Sequence, residues 1–321
     1  MRFRLEEISA QDYAQHVLPL TQPLWGHGRP LDVYREQTTQ LAHTAYGRKS
    51  YRTLALTRDG TMLASFKRYE RDARVAQQRL RAIGIGAVFT PEEFRGRGFA
   101  SAMLAMALDQ ARAEAFDFAF LFSDIHPQFY KDLGFSELPS RSISVRADSL
   151  GFERIAAQPL VQRDWSAVRA CFEAMEDARS FTLLRSPAVW NWMRARIEHH
   201  ASRQDAQPVN LAVRKGNALA AYVLGQREPR HDAYVLDEFG YAGEAGRNLI
   251  PALLRYAAGD LRRIAGWLPP APARSVLPRG SVRKRSDAIL MAAPLSAGGT
   301  RFVESARQST AADAVWSLDH I

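Results

Sequence analysis

Apolar positions in the first half of the chain gather into short runs separated by polar turns. Segments at 3–9, 51–57, 62–69, 81–90 and 116–122 carry the apolar or alternating pattern of strands, and another falls near 141–147. Helices are predicted within 11–46, over 98–115 and, as a short piece, over 127–133. Asp59-Gly60 marks the hairpin turn between the strands at 51–57 and 62–69.

From residue 152 the same order runs again. Val168, Cys171, Phe172 and Met175 fall at i, i+3, i+4 and i+7, a helical face. Ser186-Pro187 opens a second helix, with Ser as N-cap and Pro in the first turn. Trp190, Met193 and Ile197 form its buried face. Strands are predicted at 210–213, 218–224 and 233–239, then a helix from about 246 to 259, then strands at 264–268 and 288–292. The two halves share element order without a residue-level repeat.

One junction carries candidate chemistry. Val88-Phe89-Thr90-Pro91-Glu92-Glu93-Phe94-Arg95-Gly96-Arg97-Gly98-Phe99-Ala100 joins a buried strand to the long helix. A Gly-rich turn at a helix N-terminus is a pyrophosphate cradle. The first helical N–H groups lack internal acceptors, and the positive end of the helix dipole faces the anion. Arg95 and Arg97 add charge-assisted hydrogen bonds. The spacing is neither G-x-G-x-x-G nor a P-loop; it is Arg-x-x-Gly-x-Ala, read at Arg95, Gly98 and Ala100. After the next strand comes Ser123-Asp124-Ile125-His126-Pro127-Gln128-Phe129-Tyr130-Lys131-Asp132-Leu133-Gly134-Phe135, containing Phe-Tyr-x-x-Leu-Gly-Phe.

These two motifs, in this order, resemble those of the GCN5-related N-acetyltransferase (GNAT) superfamily over about residues 50–140. The resemblance implies an α/β fold of two tandem GNAT-like domains, each a mixed, mostly antiparallel sheet flanked by helices. Residues 1–150 would be the catalytic domain with the acetyl-CoA site, and 151–321 a degenerate copy. It also implies roles. The backbone of Val88 and Phe89 would pair with the pantetheine amides of acetyl-CoA. The N–H groups from Arg95 through Gly96, Arg97, Gly98, Phe99 and Ala100 to Ser101 would hold the pyrophosphate. Tyr130 would be the general acid toward the coenzyme A thiolate, since a phenol of ordinary pKa near 10 stays protonated at neutral pH. Ser123 would be a further polar group near the thioester. No metal is implied.

Each residue also has a plainer role. Tyr130 fits a core tyrosine, and Phe129, Leu133 and Phe135 read as core. Ser123 is equally a loop hydrogen-bonding group. Asp124 caps the short helix or binds an amine; His126, before Pro127, reads as a cap or loop residue. The strand from Arg81 to Phe89 has no carboxylate to act as general base, and Glu92 and Glu93 lie in the turn facing the coenzyme.

In the second half, the turn Gly240-Tyr241-Ala242-Gly243-Glu244-Ala245-Gly246 has no leading Arg, and Glu244 would repel pyrophosphate. Pro269-Pro270-Ala271-Pro272 stands where the Phe-Tyr helix would be. The pairing of a catalytic half with a degenerate one resembles the enhanced-intracellular-survival type of acetyltransferase and, more loosely, mycothiol synthase. Survival-type enzymes add a sterol-carrier-like domain, for which this chain is too short. In them the C-terminal carboxylate is thought to act as base. The tail Trp316-Ser317-Leu318-Asp319-His320-Ile321 offers Asp319, His320 or the terminus of Ile321 for that role, or else a strand that completes the second sheet.

Composition narrows the setting. The apolar fraction of 46% is that of a globular protein. A single cysteine, Cys171, excludes an internal disulfide. There is no signal-peptide core and no membrane-length apolar run, so a cytoplasmic location is expected. The net charge of +9 comes from scattered arginines, which argues for a polyanionic cofactor rather than nucleic acid or a membrane. The sequence is compatible with a homo-oligomer. Trp25-Gly26-His27-Gly28-Arg29-Pro30 is a candidate wall for the acceptor, or an interhelix connection. The expected activity is transfer of an acetyl group to a small-molecule primary amine. The alternative is a non-catalytic acyl-CoA-binding or regulatory protein.

Overall fold

In the computed structural model the strands are β1 (Arg4–Ile8), β2 (Tyr51–Arg58), β3 (Thr61–Val75), β4 (Gln78–Phe89), β5 (Phe118–Ser123), β6 (Ser136–Glu137), β7 (Arg141–Arg146) and β8 (Ala157–Pro159). There follow β9 (Phe181–Leu184), β10 (Gln207–Pro208), β11 (Leu211–Lys215), β12 (Ala218–Glu228), β13 (Ala233–Tyr241), β14 (Arg263–Trp267), β15 (Ser281–Lys284) and β16 (Ile289–Pro294). The structure describes residues 3–125, 127–151, 153–176, 179, 181–200, 206–308 and 313–321.

The strands form two mixed, mostly antiparallel sheets of eight strands each, flanked by helices. The first runs β1-β2-β3-β4-β5-β16-β6, with β9 on the far end of β3; the second runs β15-β7-β14-β13-β12-β11-β8, with β10 on β12. In each, one neighbouring pair is parallel: β4 with β5, and β13 with β14. A parallel pair needs a crossover, and helix Phe99–Ala113 supplies the first one. Its Met103, Leu104, Ala107, Leu108 and Ala111 pack on Leu54, Phe66, Ile83 and Ile85 of the sheet.

Two strands differ from the sequence expectation. The segment near 141–147 is a strand, but as β7 it joins the second sheet, between β14 and β15. The segment at 288–292 is a strand, but as β16 it joins the first, between β5 and β6. Burial accounts for the placement of β16. Ile289, Leu290, Met291, Ala292 and Ala293 are all buried, so this strand needs cover on both faces. Helix Phe99–Ala113 and helix Ala297–Arg307 provide it. In β7 only Ile143 and Val145 are buried, which suits its place against the short edge strand β15.

The tail is not a strand. Ser317–Asp319 is a single 3-10 turn, flanked by buried Val315 and Trp316, and it wedges between the two sheets. The short strands β6, β8, β9, β10 and β15 had no signal in the periodicity. Cys171 is buried. Among the described residues, no helix is long and apolar enough to cross a membrane.

Candidate active site

The parallel pairing of β4 with β5 stops at Ile85 opposite Leu121. Next, β4 bulges. Lys67 of β3 faces Gly86 and Ser65 faces Phe89, so β4 carries one extra residue, and Ala87 takes up the kink at φ 48°. Among the described residues, the backbone from Gly86 to Phe89 therefore has no strand partner on its β5 side. Val88 lines the resulting cleft. The Phe89 side chain is buried in a separate small cluster with Tyr13, Val17 and Leu18.

Past a 3-10 turn at Glu92–Phe94, Gly96 and Gly98 adopt φ 73° and 76° and lead into the helix at Phe99. The first helical bond runs from the Ala102 N–H to the Gly98 carbonyl at 3.0 Å. The N–H groups of Phe99, Ala100 and Ser101 precede it and have no helical acceptor. A Cβ on Gly96 or Gly98 would meet nothing within 4 Å, so the turn is open to a ligand. Arg95 and Arg97 are exposed beside it, and the first turn has no acidic residue. The Arg95 Nε donates to the Thr90 carbonyl at 3.2 Å, which orients that side chain over the turn. Among the described residues, no group of His, Cys, Asp and Glu is placed to hold a metal ion.

Tyr130 lies on the short helix Gln128–Lys131, with its ring 4.9 Å from Phe129 and 6.0 Å from Phe135. It is buried yet lines the cavity at the mouth of the cleft. Burial first, and the nearby Asp124 carboxylate second, push its phenol up to about 12. The proton is thus held firmly at neutral pH. Ser123 is placed otherwise: its hydroxyl donates to the Ile125 carbonyl at 2.8 Å, and it does not line the cavity. Asp124 accepts the Ala288 N–H at 3.0 Å, tying the loop to the start of β16. His126 lies outside the described residues.

The cavity has a volume of about 540 Å³ and reaches into both halves of the chain. Trp25, His27 and Arg29 of the anticipated loop line one side. Arg29 shapes that loop by donating to the carbonyls of Gly26 and Trp25 and to Gln37. The floor is Tyr51, Lys67 and Tyr69 of β2 and β3. The opposite wall is Trp192, Arg196 and His199, spaced i, i+4 and i+7 on helix Pro187–His200.

The tail closes the back. The terminal carbon and oxygen of Ile321 would lie 3.2 and 3.3 Å from a Cβ on Gly86. The His320 ring sits 5.0 Å from Phe122 and 5.6 Å from Trp267. Asp319 anchors the segment in a buried ionic cluster. Arg185 grips its carboxylate with Nε at 3.1 Å and a second nitrogen at 3.0 Å, and Arg71 adds a contact at 3.3 Å. Arg185 also pairs with Glu238 at 2.7 Å, and Glu238 accepts the Tyr222 hydroxyl at 2.8 Å. Burial pushes the Asp319 carboxyl up, but Arg185 and Arg71 outweigh it and hold it below the ordinary aspartate value. Burial, then Arg196 and Arg285, push His320 down to about 3.

Residues 27–138 match the family model described as an acetyltransferase (GNAT) domain. Over this segment the chain is similar to GNAT domains. Solved structures share the architecture of the whole chain. A GCN5-related N-acetyltransferase from Anabaena variabilis superposes with a TM-score of 0.72 at 14% identity, covering 92% of this chain and 73% of its own. A conserved protein from Enterococcus faecalis described as a probable N-acyltransferase gives 0.71 at 11% identity, over 92% and 73%. Eis1 from Mycobacterium abscessus gives 0.60 at 11% identity, over 96% and 77%. No curated protein matches the sequence.

The second GNAT-like half repeats the parallel pair but not the cradle. A Cβ on Gly246 would collide with the Ala220 carbonyl, so the turn is packed down on β12. Glu244 of that turn pairs with Arg247 at 3.0 Å. What this half gives the GNAT site is the cavity wall of Trp192, Arg196 and His199. Sequence reasoning assigned that helix a face through Trp190, Met193 and Ile197. The spacing of Trp192, Arg196 and His199 was readable as a second face, but nothing local says that it meets the first half.

Proposed function

We propose that the chain moves an acetyl group from acetyl-CoA to the primary amine of a small molecule. The observation that carries the reading is Tyr130, whose phenol lines the cavity onto which the splayed end of β4 opens. The cradle from Arg95 to Ser101 fits the pyrophosphate, and the unpaired backbone of Val88 and Phe89 fits the pantetheine arm. The acceptor nitrogen attacks the thioester carbonyl carbon and loses a proton. When the tetrahedral intermediate collapses, the C–S bond breaks and Tyr130 protonates the departing thiolate. The products are an N-acetyl amide and free coenzyme A.

For the base, three tail groups compete. Asp319 is committed to Arg185 and Arg71. His320, pushed down to about 3, has little proton affinity. Where Ile321 is the last residue of the protein, its carboxyl group, over Gly86, is the remaining one, and we assign it the amine proton. The alternative, acyl-CoA binding without turnover, draws its support from the lack of a carboxylate on β4, and Ile321 weakens that support.

The test is thermal unfolding with and without acetyl-CoA, with free coenzyme A and NAD as controls, followed by thiol release with a panel of amines. A ligand at about 100 times its Kd adds about 2.7 kcal/mol to the native state. A shift with acetyl-CoA that Gly98→Glu abolishes is expected. No shift at millimolar acetyl-CoA overturns the reading.

A further inference from the structure

Lys67 is buried, and among the described residues its ammonium makes no ion pair with an acidic side chain. It sits on β3 directly opposite Gly86 of β4, so its side chain shares the sheet face on which Ile321 lies. Only 8% of the residue is exposed. Its ammonium donates to the Tyr51 hydroxyl and lies 4.6 Å from the centre of the Tyr13 ring and 5.0 Å from that of Tyr51. Ring faces compensate a cation in part. They do not replace an anion, and burial pulls the Lys67 ammonium down to about 7. Across the same cavity, Arg196 makes no hydrogen bond or ion pair among the described residues, and its guanidinium lies 4.8 Å from the centre of the Trp192 ring. Arg196 acts on its neighbour too: burial, then Arg29 and Arg196, push His199 down to about 4.

Among the described residues, the acidic side chain on the cavity wall is Asp124, at the mouth, and Ile321 lies at the back. A polyamine would find one or two anions there and several cations. We propose, building on the acetyl-transfer reading, that the acceptor is an amine that also carries a carboxylate, seated between Lys67 and Arg196. The carboxylate supplies a counter-charge that Lys67 has from no side chain and that Arg196 has only from Asp237, and a buried charge is stable only when paired. The aromatic walls from Tyr51, Tyr69 and Trp192 suit an apolar or aromatic remainder. The class is that of α-amino acids, with the amine directed to Ile321 and Tyr130.

Matched probes test this: L-phenylalanine against phenethylamine, and L-leucine against 3-methylbutylamine, each by thiol release. Binding of 3-phenylpropanoate, which has no amine to acetylate, is measured by calorimetry on the coenzyme A-saturated protein. Expected are a kcat/KM at least tenfold higher for the amino acids, and 3-phenylpropanoate binding weakened at least tenfold in Lys67→Met and in Arg196→Met. Both variants keep the acetyl-CoA thermal shift, which shows that they fold. The proposal is overturned if the decarboxylated amines are equal or better acceptors, if 3-phenylpropanoate does not bind, or if both variants bind it as the wild type does. If no amine turns over while 3-phenylpropanoate binds in a Lys67-dependent way, acetyl transfer fails and the anion site stands.

Discussion

Ile321 fills the space that Gly84 leaves empty. A Cβ at Gly84 would collide with the Ile321 Cδ1 and come 2.9 Å from the Phe120 ring. Two glycines on one face of β4, Gly84 and Gly86, make the groove in which the tail ends. Gly84→Ala is therefore expected to push the tail out of the groove. It should destabilise the fold by about 1–3 kcal/mol, as overpacked cores do. Urea melts check the stability, and thiol release checks the loss of turnover.

Tyr130→Phe removes one oxygen and leaves the ring against Phe129 and Phe135. The acetyl-CoA thermal shift is expected to persist, while kcat falls at least tenfold. Unchanged kcat would take the phenol out of the reaction.

Asp319→Asn leaves Arg185 and Arg71 buried with one counter-charge fewer. Removing one partner of a buried ion pair costs about 3–5 kcal/mol. A drop of that size in unfolding free energy, with turnover lost in the fraction still folded, is the expected result. A neutral outcome would mean that Glu238 alone balances both arginines.

Glu238 gives a pH signature of definite sign. Burial pushes its carboxyl from the usual 4.5 up to about 7; Arg185 opposes the shift, and Asp319 adds to it. Between those values the folded chain holds a proton that the unfolded chain has released. Stability from this group therefore falls as pH rises through that window. Asp319, held low, acts the other way: its contribution is present above its usual 3.8 and is lost as pH falls through its lower folded value. The difference in unfolding free energy between wild type and Glu238→Gln is expected to decline from pH 4.5 to 7. A flat difference would place Glu238 among ordinary carboxylates.

The junction at Arg95–Ser101 was legible as structure because it is local: strand, glycine turn and helix are contiguous, and φ above zero at Gly96 and Gly98 needs no distant partner. The short helix that carries Tyr130 was legible for the same reason. Lys67 was not. It stands at the end of the strand expected at 62–69, in the charged run Lys67-Arg68-Tyr69-Glu70-Arg71, where nothing local signals burial, yet β3 is covered on both faces and Lys67, Arg68 and Arg71 are all buried. Nor were the positions of β7 and β16 readable, since an apolar strand states its burial and not its neighbours. The tail shows the same limit. Its apolar residues announced that it would be buried, but the turn at Ser317–Asp319 follows from Arg185 and Arg71, which come from opposite halves of the chain.

The reciprocal placement of β7 and β16 bears on how the molecule is born. As the chain leaves the ribosome, β5 emerges near residue 120 and must wait for β16, near residue 290, to pair on its free side. Until then the first sheet is an open edge that any strand could join. The cavity is finished later still, when the tail drops onto Gly84 and Gly86. Assembly of the first sheet thus depends on segments far along the chain, and a nascent chain stopped short of them holds the strand, glycine turn and helix beside a sheet and a cavity still unfinished.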